Sequence, residues 1–302
     1  MQNVFHLYRG GCVNMQIKKL LFVTDFEELW FDALQSLMDL RKVGLNHVVF
    51  LHVIEREKVA MRRGTGYLKS EELKLKEMAN VRFINWAESL FEMGMECGAY
   101  VVVGDPVPKI LSTAEVEKVD LVVTGRHKKA KMKGLYIDSQ TLELLRRTTV
   151  PVLVHKYMTK DGKINKAPFE KPLLATDWSA PCARAIEYLL GLKNIIKKAE
   201  IIHILTEKDM EGRSKTELQK IEKESKKRLE EVRLTLEGAN IEADTHLYVG
   251  KVVDQIETAA RELDATMIVT GTTGKGAWRA RWLGSVSHEA AERLDLPTLL
   301  VP

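Results

Sequence analysis

Cysteine is scarce in this chain: three in 302 residues, Cys12, Cys97 and Cys182. None stands in a CxxC pair and no disulfide framework is suggested, which fits a reducing, cytoplasmic setting. No apolar run approaches the ~20 residues that span a bilayer, so no membrane partner is expected. A dominant charge is lacking too. The net formal charge is +4, too small to make nucleic acid an expected partner. Catalytic motifs are also missing. There is no Gly-x4-Gly-Lys-Ser/Thr loop, and Gly271-Thr272-Thr273-Gly274-Lys275-Gly276 is out of frame for GxGxxG. No Ser-His-Asp or Cys-His arrangement is evident, so no catalytic residue is assigned. Residues Met1 to Asn14 lack the apolar core of a secretory leader and are read as a loose tail, with the ordered chain opening at Met15.

What is present is an ordinary globular composition, 45% hydrophobic and 29% charged, at a length that suits about two domains. Comparing the chain with itself reveals a repeat. Leu20-Leu21-Phe22-Val23-Thr24-Asp25 matches Leu173-Leu174-Ala175-Thr176-Asp177. Val49-Phe50-Leu51-His52-Val53 matches Ile201-Ile202-His203-Ile204. Val102-Val103-Gly104 matches Tyr248-Val249-Gly250, Val123-Thr124-Gly125 matches Val269-Thr270-Gly271, and Val150-Pro151 matches Leu296-Pro297. From Gly104/Gly250 to Pro151/Pro297 the offset stays at 146 positions. Duplication is the simplest account. The predicted organisation is a tail (1–14), a first domain (15–156), a polar linker (157–170) and a second domain (171–302).

Each copy contains five short β-rich runs that are almost continuously apolar, as in strands buried on both faces of a parallel sheet. Between them lie stretches with helical spacing. Leu218, Ile221, Leu229, Val232 and Leu236 fall on one face, with Glu222 and Lys226 paired on the charged side. Alternating β and α elements predict an α/β fold, doubly wound by right-handed crossovers.

The chemistry-bearing segment is Gly271-Thr272-Thr273-Gly274, then Gly284-Ser285 at the start of a helical run. Glycines let backbone N–H groups approach an anion, and a helix start adds free N–H groups and the positive end of its dipole. Lys275, Arg279 and Arg281 add charge nearby. On glycines alone, a glycine-rich turn before a capped helix is an equal alternative.

The spacing Gly271-x2-Gly274-x9-Gly284-Ser285, with Thr-Asp after the first strand, His-Ile in the second and Val-Gly after the third, resembles the universal stress protein family. The resemblance covers Met15 to Pro302 as two tandem domains. It implies two five-stranded parallel sheets of order 3-2-1-4-5, joined as a pseudo-dimer through their fifth strands, with a further homodimer as an option. It implies an adenine-nucleotide ligand, ATP or AMP, with Mg²⁺ an optional companion. The positions it assigns to that ligand are Ala175, Asp177, Ile204, Gly271, Thr272, Gly274, Gly284, Ser285, Val286 and Ser287. It implies a stress-response or signalling role; a slow ATPase and a binding-silent dimerisation scaffold are the alternatives.

The first copy departs from this pattern. Its loop reads Gly125-Arg126-His127-Lys128, then Asp138-Ser139. Lys128 replaces the second glycine and Asp138 the third. A carboxylate at that helix start would occupy the anion position and repel a phosphate. Either the copy satisfies its own charges or the loop has drifted. The basic run Lys128 to Lys133 reads as a solvated loop. Trp278 and Trp282 either pack on the domain, cover a ligand or mark a partner surface. His52 and His203 are expected to serve the backbone rather than a metal, since neither has a second ligand at useful spacing.

Overall fold

The computed structural model describes residues 16–26, 30–60, 66–125, 139–158, 162, 164–272 and 285–302. The first half runs β1 (Lys19–Val23), α1 (Phe31–Gln35), a 3-10 segment (Met38–Val43), β2 (His47–Ile54), α2 (Arg56–Val59), α3 (Lys69–Glu92), β3 (Glu96–Val103), α4 (Pro106–Glu117), β4 (Leu121–Gly125), α5 (Ser139–Arg147) and β5 (Val152–His155). The second half runs β6 (Pro172–Ala175), α6 (Ala180–Gly191), β7 (Lys198–Leu205), α7 (Glu207–Met210), α8 (Lys215–Glu237), β8 (Glu242–Val249), α9 (Val252–Glu262), β9 (Met267–Gly271), α10 (Ser285–Arg293) and β10 (Thr298–Val301).

The strands are buried on both faces, as their apolar runs require; Leu20, Leu21 and Phe22 are all inaccessible. Helix α8 shows the local logic of the helices. Ser214 and Glu217 form a capping box, with the Ser214 hydroxyl accepting from Glu217 N and the Glu217 carboxylate accepting from Ser214 N at 2.8 Å. Leu229, Val232 and Leu236 are buried, while Leu218 and Ile221 are half-buried. Lys226 and Glu222 pair at 2.6 Å on the outer side.

The strand order is β3-β2-β1-β4-β5-β10-β9-β6-β7-β8. Each half therefore has the order 3-2-1-4-5. Within each half the pairs are parallel, and β5 meets β10 antiparallel, with Leu153 opposite Leu299. The two expected sheets are thus one sheet of ten strands. The physical reason is that both fifth strands are short, apolar and buried, and each covers the other's open edge. One hydrophobic cluster runs across the junction on one face, joining Phe22 and Leu153 to Leu174 and Leu299. On the opposite face each half keeps its own cluster, although Ala291 of α10 and Leu300 of β10 belong to that of the first half.

A second tie crosses the junction. Lys156 is buried, and its Nζ donates to the Leu294 carbonyl at the end of α10 at 2.6 Å. A cation suits the negative end of a helix dipole. The segment before β6 is also anchored: Asn165 Nδ2 donates to Thr266 O at 2.7 Å, and Phe169 is buried in the shared cluster.

The repeat survives in the backbone where side chains differ. Left-handed φ recurs at Gly94 and Asn240, at Lys118 and Asp264, and at Gly104 and Gly250. At Gly104 (φ 155°) and Gly250 (φ 139°) the turn after the third strand needs glycine. Each pair is 146 positions apart. Among the described residues, no helix is long and apolar enough to cross a membrane.

Candidate functional site

In the second half, β6 and β9 lie side by side and the chain leaves them toward opposite faces. This reversal of strand order opens a crevice beyond their carboxyl ends. Ala175 ends β6 there and Gly271 ends β9. On β7, the ladder with β6 stops at Ala175 and Ile202, with Thr176 N donating to Ile202 O at 3.0 Å. The two-residue period of a strand turns the backbone N–H and C=O of Ile204 to that same side, past the end of β6.

Thr176 to Ser179 build the crevice wall. The Thr176 hydroxyl accepts from Trp178 N at 3.1 Å, and Asp177 Oδ1 accepts from Ser179 N at 2.9 Å. Ser179 then caps α6, its hydroxyl accepting from Cys182 N. These turns fix the Asp177 carboxylate beside the start of α6. The Cys182 thiol donates to Asp177 Oδ1 at 3.3 Å; burial, then the neighbouring carboxylate, push its pKa up, so the thiol stays protonated and unreactive.

Packing alone requires a glycine at 271, whatever its motif assigns to it. Its φ is not left-handed. A Cβ there would lie 2.5 Å from Pro181 Cβ and 2.9 Å from Cys182 N. The missing side chain lets the start of α6 press against β9. Thr272 is buried, and its N–H donates to Val301 O at 2.8 Å. Ser285 opens α10, Val286 packs on the cluster of the second half, and the buried Ser287 donates its hydroxyl to Gly271 O at 2.7 Å. Ala175, Asp177, Gly271, Thr272 and Ser287 thus surround the ends of β6 and β9. Gly274, Gly284, Trp278 and Trp282 lie outside the described residues, as do Lys128 and Asp138 in the first half. His288, four residues into α10, has its Nε2 3.2 Å from Glu292.

Sequence reasoning missed Trp178. It follows Asp177 with φ 66°, and Phe26 follows Asp25 with φ 64°. Aromatic residues rarely adopt this conformation. Each ring lies against a strand-two histidine, 4.8 Å from His203 or from His52. Each has an arginine over it, Arg228 at 5.8 Å from Trp178 and Arg82 at 4.8 Å from Phe26. The histidines serve the backbone as expected: Nδ1 of His203 donates to Thr176 O, and Nδ1 of His52 to Thr24 O, both at 2.8 Å. Burial holds His52 below its ordinary value, so this imidazole is neutral at pH 7. Among the described residues no cluster of His, Cys, Asp or Glu could hold a metal. The signal for this wall was in the sequence as Thr-Asp-aromatic at both copies. Left-handed backbone strain at Trp178 makes a specific prediction. Trp178→Ala and Trp178→Gly both lose the ring contacts, but only glycine relieves the strain. Thermal unfolding should therefore find the glycine variant the more stable by about 1 kcal/mol, the reverse of their order in a helix.

The chain matches the universal stress protein family over residues 16–156 and again over 168–302. It belongs to that family. A universal stress protein of Methanocaldococcus jannaschii is 30% identical over 158 residues, covering 48% of this chain and 98% of that protein. One from Bacillus subtilis is 27% identical over 146 residues, covering 44% and 99%. The crystal structure of a universal stress protein from Archaeoglobus fulgidus covers 95% of this chain and 97% of its own, with a TM-score of 0.72 at 24% identity. The Methanocaldococcus and Bacillus relatives each match about one half of the present universal stress protein, while the Archaeoglobus structure has its whole tandem fold.

Proposed function

We propose that this universal stress protein binds an adenine nucleotide, ATP or AMP, through its second half, and that ligand occupancy is what it signals in the stress response. The observation that carries the reading is the crevice at the β6/β9 switch point. Three features support it: the Asp177 carboxylate after β6, the strand edge at Ile204, and the start of α10, tied to β9 by Ser287. Each suits a different part of a nucleotide. The Ile204 N–H and C=O, past the end of β6, offer a donor and an acceptor to a base. Asp177 accepts from hydroxyls or an exocyclic amine. The N-terminus of α10 offers free N–H groups and partial positive charge to phosphates. Ala175 and Val286 supply apolar contact. Gly274 and Gly284 belong to the same proposal on motif spacing. Magnesium, where present, would come with the phosphates.

The first half keeps the crevice wall but carries Lys128 and Asp138 in the loop, so one site per chain is expected. Titration of the full chain with Mg-ATP and with AMP in a calorimeter tests this. The expected stoichiometry is one, with Gly284→Asp weakening binding roughly 30-fold, about 2 kcal/mol, through repulsion of phosphate. Heat absent at every concentration, or two equal sites, overturns the reading.

A further inference from the structure

The duplication supplies an internal control for every surface of the molecule, and α3 fails to match its counterpart α8. The two helices align at an offset of 146 positions, with Ala79, Phe83, Trp86 and Leu90 buried at the positions of Ser225, Leu229, Val232 and Leu236. Their inner faces are equivalent. Their outer faces are not. Leu73, Met78, Val81, Ile84 and Phe91 of α3 are each between 50% and 60% exposed. Gln219, Glu224, Lys227, Glu230 and Glu237 stand at the matching places on α8, where Arg233 pairs with both Glu230 and Glu237. On α8 a single large apolar side chain, Leu234, is comparably exposed, so the same helix on the same fold does without an apolar stripe. At 100° per residue the exposed apolar arc of α3 centres about 150° from its buried row, so neither the core nor any helix ending accounts for it.

We propose that this face is a homodimer interface, in which α3 packs antiparallel on α3 of a second copy of the chain. Two arguments select a second copy. The first is area. The five residues expose roughly 550 Å² per copy, at the upper end of the apolar patches carried by monomers, and two copies bring roughly 1,100 Å², just above the threshold for a specific interface. The second is charge. The outer face carries Lys74 in its first half, and Glu88 and Glu92 in its last turns. A two-fold axis near Val81 sets Leu73 against Phe91 of the second copy and brings Lys74 into range of the other copy's Glu88 and Glu92, twice over. A parallel pairing would set each of these charges against itself. Glu77 is the one acid that the antiparallel pairing leaves near an opposing Glu88. A two-fold contact of this kind closes on itself and forms dimers rather than filaments. It also leaves the β5–β10 junction intact, since that edge is already used within each chain.

Sedimentation velocity on the full chain across a concentration series tests the proposal. The wild type should shift from monomer to dimer in the micromolar range. Ile84→Glu with Phe91→Glu, which copies the residues of α8, should weaken the dimer by at least roughly 100-fold. Circular dichroism and thermal unfolding of the same samples check the fold. Val81→Lys, copying Lys227, is a milder second variant that should also weaken association should the double variant unfold. A wild type that stays monomeric at about 200 µM overturns the proposal. So does a dimer whose affinity these folded variants leave unchanged, since the copies would then meet elsewhere.

Discussion

Gly271→Ala should destabilise the protein by about 3 kcal/mol, the upper range for forcing an added methyl into a packed site. The cause is geometric. The new Cβ would fall 2.5 Å from Pro181 Cβ and 2.9 Å from Cys182 N. The second of these is backbone at the start of α6, held there by the Ser179 cap. No flexible side-chain end can swing aside, so α6 must lift from β9. That shift also drags the Thr176 to Ser179 turns and the Asp177 carboxylate. Thermal unfolding is the direct measurement, with a drop of about 5 °C expected for a chain of this size. A variant that melts with the wild type would show that α6 yields easily, and that the glycine is free to serve the crevice alone.

Acidification should remove a comparable amount of stability through one residue. His155 ends β5 at the junction of the halves and is fully buried. Ser36 donates its hydroxyl to Ala33 O at 2.7 Å, so the same oxygen accepts from His155 Nε2–H at 3.0 Å. The other ring nitrogen, Nδ1, has no hydrogen-bond partner. A second proton would make an unpaired cation there, and burial holds the imidazole near a pKa of about 4 against an ordinary 6.5. With the folded value below the unfolded one, the unfolded chain takes up the proton first. The contribution is whole above pH 6.5 and disappears as the pH falls toward 4. Its size is about 3 kcal/mol. His155→Leu leaves Ser36 bonded to Ala33 and should flatten that part of the pH–stability curve. The matching residue of the other half, Val301, is already aliphatic and buried. Denaturant unfolding at pH 7 and at pH 4.5 compares the two chains. An equal fall in wild type and variant would place the acid sensitivity elsewhere.

Much of this was legible in the residues. The five apolar runs of each copy could only be buried parallel strands, and their spacing set the helices between them. The offset of 146 positions carried the duplication, and it reappears in the left-handed φ values at Lys118 and Asp264. The Thr-Asp ends and the glycine loop located the crevice, because strand ends and glycine chemistry are local properties. Other features were not legible, since they depend on residues far apart in sequence. The packing demand on Gly271 comes from Pro181, 90 positions earlier in the chain. Trp178 and Phe26 drew no notice, because an aromatic after Thr-Asp has no local reason to take a left-handed backbone; the histidine and arginine that hold each ring come from other elements.

The sequence by itself determined the repeat, the α/β alternation and the position of the glycine loop, which follow from periodicity and turn chemistry over short stretches; the strand order within each half came with the family resemblance and is the order observed. Tertiary structure alone decided that Lys156 grips the end of α10 across the junction, and that α3 carries an apolar outer face where α8 carries ion pairs. Those outcomes depend on which surfaces remain open once each half has folded. A pattern of apolar residues records that a side chain wants a partner, and only the packed fold shows whether it already has one.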